Sequence, residues 1–189
     1  VMLFDNEIYG LTKGQTSPTS RTGTRSSTHP TGSVLPALNP LTVTLGVSNV
    51  SFVAQTVDWN PGHMMATLEA AYQHQGFSFV RIIQRCPHFA KGLHDAEQTN
   101  PDSTLYLNHE RGITLPEEQA RIYKNRAEHD PSDLVAGVAH ATEKELIPIG
   151  LFYHDPECMR YDDIGAANID TTPEHKLATI HRELDRFAV

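Results

Sequence analysis

Long apolar runs are missing from this chain. No stretch approaches the roughly 18 consecutive apolar residues of a membrane-spanning helix, which excludes a helical membrane span read from sequence. Cysteine is scarce, with only Cys86 and Cys158 among 189 residues. Two thiols do not make a disulfide framework, so a reduced, cytoplasmic setting is the expectation. Basic residues are outnumbered, 15 Lys and Arg against 23 Asp and Glu, for a formal charge of -8. That balance argues against a nucleic-acid or anionic-membrane surface. The eleven histidines include no HExxH and no close pair matched by cysteines at zinc spacing, so they read as scattered surface and core residues.

What is present is enough apolar content, 39%, for a real core. The chain opens on Val1-Met2-Leu3-Phe4, which reads as a strand covered on both faces; further chain is expected upstream of it. Residues 15–33, "QTSPTSRTGTRSSTHPTGS", are dense in Ser, Thr, Gly and Pro, and read as a long loop, of a length that is usually functional or disordered. "NPLTVTLGV" predicts a short helix with Asn39 as N-cap and Pro40 in its first turn. "VSFVAQTV" is strand-like. "PGHMMATLEAAYQHQG" places Met64, Met65, Leu68, Ala71 and Tyr72 at helical spacing, with Gly76 as the stop and the methionines in the core. "FSFVRIIQR" is a strand again. The strand-helix-strand order predicts an α/β fold, a mostly parallel sheet with helices on both faces. Beyond residue 90 the chain is more polar. "LPEEQARIYKNRAEHD" is a helix candidate, and "LIPIGLFYHDPE" an extended segment between prolines. "TPEHKLATIHRELDRF" is a helix capped by Thr172, with Leu177, Ile180, Leu184 and Phe187 on one face. This region is expected to be an irregular extension.

The opening loop, "DNEIYGLTKGQTSPT", begins at the carboxyl end of the first strand, where open α/β sheets bind ligands. Asp5, Asn6 and the Ile8 carbonyl offer oxygen ligands for a hard cation such as magnesium. Gly10 and Gly14 allow close backbone approach, Thr12 adds a hydroxyl and Lys13 a positive charge. The same residues also suit a plain turn that uses Asn and Gly for backbone freedom.

"DNEIYGLTKGQTSPTS" closely resembles a segment of the thiamine-diphosphate-binding β subunit of the 2-oxoacid:ferredoxin oxidoreductases. "NPLTVTLGVSNVSFVAQTVD", "FSFVRIIQRCPHF" and "IPIGLFYHDPE" resemble the helix, strands and extension that follow in that family. The likeness is close over residues 1–90 and looser beyond. It implies that residues 1–90 are the second half of the thiamine-diphosphate-binding domain, and that residues 91–189 are a C-terminal extension packing on the core or on a partner subunit. Asn6 matches the side-chain magnesium ligand and Ile8 the residue that gives a backbone carbonyl. Leu11 and Thr12 match positions beside the cofactor. The family's GDG motif, the first half of the magnesium and diphosphate site, does not occur here, and is expected upstream with three cysteines of a 4Fe-4S cluster.

Cys86 alone reads as a buried small hydrophobe; the resemblance makes it the fourth cluster ligand. Cys158 has no matching position and is expected to be a free thiol. Lys13 stands where the family's pyruvate enzymes tend to carry Gly, so it is expected, with Leu11, to contact the substrate and to favour 2-oxoglutarate. The implied activity is oxidative decarboxylation of a 2-oxoacid with coenzyme A, reducing ferredoxin, and only together with the α subunit. Two other readings stay open: a thiamine enzyme without electron transfer, and a non-catalytic assembly subunit.

Overall fold

The structure is a computed structural model that describes residues 1–110, 112–166 and 172–187. A six-stranded sheet is its frame. β1 (Met2–Asp5) is followed by the short ribbon β2 (Ile8–Tyr9) and β3 (Gln15–Thr16), then α1 (Pro40–Leu45), β4 (Phe52–Val57), α2 (Pro61–Gln73) and β5 (Ser78–Ile83). The polar half adds α3 (Asp95–Thr99), β6 (Thr104–Asn108), α4 (Glu117–Ala120), β7 (Asn125–Glu128), α5 (Leu134–Ala141) and β8 (Ile147–His154). Beyond them lie α6 (Tyr161–Ala166) and α7 (Pro173–Asp185).

The strand order is β1-β5-β4-β8-β6-β7. β1, β5 and β4 run parallel to one another, β8, β6 and β7 do likewise, and the two sets meet antiparallel at β4 and β8. The carboxyl ends of β1, β4 and β5 therefore share one end of the sheet. Burial follows the pleat of β4. Phe52 and Ala54 face α2 with Val80, Ile82 and Leu151, while Val53 faces α1 and α5 with Leu41, Phe79, Leu107 and Phe152. A strand covered on both faces needs an unbroken apolar run, and all six residues of β4 are buried.

The caps of the two early helices act as the residue types require. The Asn39 side chain accepts the Leu41 N–H at 3.0 Å and donates to the Ala141 carbonyl at 2.6 Å, joining the start of α1 to the end of α5. Asn60 accepts the His63 N–H at 3.0 Å to start α2. α2 stops at His74, two residues before Gly76, and only one of the two expected stripes is inside: Met64, Leu68 and Ala71 pack on the core, while Met65 and Tyr72 are exposed. The i, i+4, i+7 set wins because a helix on a flat sheet buries one narrow stripe.

Three expectations change. β1 is not covered on both faces, because Val1, Met2 and Phe4 are exposed at the edge of the sheet. The helix expected over "LPEEQARIYKNRAEHD" is one turn, α4, followed by β7; Asn125 to Glu128 pair in parallel with Leu105 to Asn108. The composition change at residue 90 is no break in the sheet: β6, β7 and β8 come from beyond it, and the compact unit runs from Val1 to Pro156. The extended reading of "LIPIGLFYHDPE" corresponds to β8, buried from Pro148 to Phe152. Residues 157–189 form a second unit. Its helix α7 is capped by Thr172, which accepts from His175 at 3.3 Å. Leu177, Ile180 and Leu184 on α7 are exposed, as is Phe187 just after it. Among the described residues no helix is long and apolar enough to cross a membrane.

Candidate active site

β1 ends in three residues with separate duties. Asp5 is buried, and its Oδ2 accepts two hydrogen bonds from Arg81, at 2.9 Å from Nε and 2.6 Å from Nη2. Its other oxygen accepts from the Glu7 N–H at 3.1 Å and the Thr19 hydroxyl at 2.6 Å. Arg81 passes the network on to Gln55 Oε1 at 3.0 Å, and Gln55 donates to the Pro148 carbonyl at 2.6 Å. Asp5 is therefore a structural acid with its oxygens engaged, not the oxygen ligand its position suggests. The neighbouring Asn6 side chain is less engaged among the contacts described. Its Oδ1 accepts one N–H, from Ile8 at 3.2 Å, and an amide oxygen has a second lone pair to give.

Between Asn6 and Ile8, Glu7 is held at φ 57°, in the left-handed region that non-glycine residues avoid. It is clamped on both sides: Asp5 takes its N–H, and the Ser20 hydroxyl donates to its carbonyl at 2.5 Å. A strained turn persists only where its surroundings over-determine it. Here they do, which is the mark of a built site.

The loop from Tyr9 to Gln15 closes on itself, with the Lys13 N–H to the Gly10 carbonyl and the Gly14 N–H to the Tyr9 carbonyl, both at 3.0 Å. Thr12 donates its hydroxyl to the Tyr9 carbonyl at 3.4 Å. Lys13 is a second non-glycine residue in the left-handed region, at φ 67°, and is exposed. Leu11 is 99% exposed, so within this chain it walls no pocket. Gly14, at φ 90°, lies where a Cβ would stand 3.0 Å from the Phe89 ring.

Cys86 follows β5, on the same end of the sheet. A Cβ on Gly10 would be 3.9 Å from its sulfur. Burial works to raise the thiol's pKa, but the backbone N–H groups of Phe89, His88 and Ala90 aimed at the sulfur lower it on balance. The Phe89 N–H is 3.5 Å from it. Cys86 is partly exposed, and lines a cavity of about 420 Å³ with Asp58, Arg85, Leu93 and His94. A partly exposed thiol under backbone donors suits a thiolate ligand better than the buried hydrophobe its apolar strand suggests. Cys158 lies in the second unit and is also free. Among the described residues, no group of three or more His, Cys, Asp or Glu is arranged to hold a metal ion. The residues at this end of the sheet that carry donor atoms are Cys86, with its thiol, and Asn6, with its amide oxygen.

Sequence reasoning missed Glu7, Thr19, Ser20, Arg21, Arg81 and His94. One signal was available: Arg81 interrupts the apolar strand "FVRII", and a cation there needs a buried acid.

The chain matches two family profiles. One is "Thiamine pyrophosphate enzyme, C-terminal TPP binding domain", over residues 1–82. The other is the C-terminal region of the pyruvate ferredoxin oxidoreductase beta subunit, over residues 119–167. The chain is 29% identical over 186 residues to a 2-oxoacid:ferredoxin oxidoreductase subunit beta of Sulfolobus sp., covering 94% of this chain and 56% of that one. The chain is similar, along nearly its whole length, to β subunits of 2-oxoacid:ferredoxin oxidoreductases. It is also 43% identical over 96 residues to the 2-oxoglutarate oxidoreductase subunit KorB of Mycobacterium tuberculosis, covering 51% of this chain and 26% of that one. A 2-oxoglutarate:ferredoxin oxidoreductase from Magnetococcus marinus, solved with 2-oxoglutarate, coenzyme A and succinyl-CoA bound, superposes with a TM-score of 0.68 at 28% identity. It aligns with 95% of this chain and 56% of its own. The chain spans between a quarter and just over half the length of these relatives.

Proposed function

We propose that this chain supplies the carboxyl-end half of a thiamine-diphosphate and magnesium site, and one ligand of an electron-transfer cluster. The complex that contains it would oxidatively decarboxylate a 2-oxoacid with coenzyme A and pass electrons to ferredoxin. The observation that carries the reading is the packing of the Gly10–Gly14 loop against Phe89 and Cys86. A cofactor loop and a thiolate position this close suit electron transfer, and a thiamine enzyme without it would have no use for the pairing.

In this reading Asn6 Oδ1 and the Ile8 carbonyl hold magnesium, and Thr12 and Leu11 border the cofactor. Thiamine diphosphate, when bound, supplies the carbanion chemistry that decarboxylation needs. The protein's part is orientation. Asp5 and Arg81 anchor the strand end, and the Glu7 turn fixes the backbone between Asn6 and Ile8. Cys86 gives one of the four thiolates of a 4Fe-4S cluster, and three must come from elsewhere. Lys13, exposed on the loop, reaches the far carboxylate of 2-oxoglutarate, which favours that substrate over pyruvate; the 2-oxoglutarate named for two relatives supports the choice.

The site is completed by an α subunit. Leu11, at the tip of the loop, is 99% exposed and gives that partner an apolar side chain to cover. The complex would work in the cytoplasm, with ferredoxin as acceptor. Residues 91–156 complete the core sheet, and the amphipathic face of α7 serves contact with a partner subunit. Thiamine diphosphate, magnesium and iron assays on the purified complex test the whole reading. All three are expected; thiamine without iron would instead make it a non-redox thiamine enzyme, and neither would leave an assembly subunit.

A further inference from the structure

Glu7 does more than sit in a strained turn. Its carboxylate is buried and pairs with Arg21, Oε2 to Nε at 2.9 Å. Its other oxygen lies 3.6 Å from His94 Nε2. His94 is 2% exposed, and its Nε2 has no hydrogen-bond partner. Arg21 Nη2 stands 3.4 Å from His94 Nδ1. A guanidinium only donates, so Nδ1 accepts and the ring proton lies on Nε2, facing Glu7. Arg21 also reaches Glu97 at 3.5 Å, and Trp59 packs on the His94 ring with centroids 5.5 Å apart. His94 is a shared wall: it lines the cavity of Cys86, and also the neighbouring cavity of about 520 Å³ that holds Glu7, Arg21, Arg81 and Lys144.

We infer that Glu7 and His94 are positioning residues that tie the Asn6–Ile8 turn to the Cys86–His94 segment, so that the cofactor ligands and the cluster ligand move as one unit. This rests on the proposed reading of Asn6, Ile8 and Cys86. The two segments are joined at separate points, Phe89 under Gly10 and Gly14, and His94 with Arg21 on Glu7. Neither joint alone would fix their relative rotation; two do. Glu7 suits the task because its backbone shapes the turn while its side chain reaches Arg21 and His94.

The test uses the assembled oxidoreductase with Glu7→Ala, Glu7→Gln and His94→Phe, the last keeping a ring beside Trp59. The magnesium concentration for half-retention of thiamine diphosphate should rise about tenfold in Glu7→Ala, on the scale of losing a support to a metal ligand. It should rise in His94→Phe as well, and Glu7→Gln should recover part of the loss. The double variant Glu7→Ala/His94→Phe should be no worse than Glu7→Ala, because one coupling is being removed twice. The electron-paramagnetic-resonance spectrum of the reduced cluster should change in Glu7→Ala, although Glu7 does not touch Cys86. Ser51→Ala, which loses a hydrogen bond to the Phe77 carbonyl at the amino ends of β4 and β5, controls for general destabilisation and should change neither readout. Additive effects in the double variant, or an unaltered cluster spectrum in Glu7→Ala, would overturn the inference. A wild-type complex without thiamine diphosphate or iron would instead overturn the reading beneath it.

Discussion

Gly10 and Cys86 approach so closely that a Cβ on the glycine would stand 3.9 Å from the cysteine sulfur. The loop read as cofactor-binding and the residue read as cluster-binding are thus neighbours, although they lie far apart in the sequence. Replacing Cys86 with Ala should remove the low-potential iron-sulfur signal and ferredoxin reduction, since one iron loses its thiolate. Cys158→Ala should lose neither. Matching behaviour of the two variants would show that Cys86 is not a ligand.

Asn6→Leu should lower thiamine diphosphate retention by about tenfold or more, taking the effect of supporting residues on metal affinity as the lower bound. The fold should survive, because the neighbouring Asp5–Arg81 pair is untouched. Cofactor content of the purified complex is the measurement, and a wild-type value would remove Asn6 from the site.

Lys13→Gly is an unusually clean substitution. The φ of 67° favours glycine, so the variant relieves backbone strain of roughly 1–2 kcal/mol and any loss of activity comes from the missing ammonium. A charge-assisted bond to the far carboxylate of 2-oxoglutarate is worth on the order of 1.5–3 kcal/mol. The specificity constant for 2-oxoglutarate should therefore fall about ten- to a hundredfold while that for pyruvate holds. An equal fall for both, with weaker thiamine diphosphate binding, would place the lysine on the cofactor diphosphate.

Stability should fall in acid through two buried histidines. Burial lowers the His63 pKa to about 3 and the His109 pKa to about 4, each helped by a neighbouring histidine. Below about pH 6.5 the unfolded chain binds protons that these rings in the folded chain refuse, so unfolding gains about 1.4 kcal/mol per pH unit for each. The loss begins near pH 6.5 and ends once the folded rings protonate, near 4 for His109 and 3 for His63. Urea midpoints of the chain across this window should show the slope, and His109→Gln should reduce it. An unchanged slope in that variant would mean that His109 does not hold its proton off.

The elements between Leu38 and Cys86 were legible because their signals are local. Asn39 and Pro40 begin α1, and Asn60 and Pro61 begin α2, since a cap reads only the next few residues. β4 shows its two-sided burial in its own apolar run. Asn6, Ile8 and Cys86 were singled out through family likeness, which is again a property of contiguous residues. The stripe of α2 was half legible: periodicity offered both Met64 and Met65, and only the sheet beneath decided that Met64 packs inward.

What the chain determined alone was therefore the short-range part: strand, capped helix, strand, and a glycine-rich loop after the first strand. The tertiary structure decided the rest. Asn125–Glu128 is a strand because β6 lies beside it and pairs with its backbone, against a helical pattern in the side chains. β8 sits between β4 and β6, joining two parallel sets in opposite directions, which no window of neighbouring residues can encode. Asp5 is an anchor because Arg81, 76 residues on, takes its carboxylate, and Glu7 meets His94 through the same kind of distant contact. Burial and pairing are set by which distant segments exclude water together, and that is a property of the folded chain as a whole.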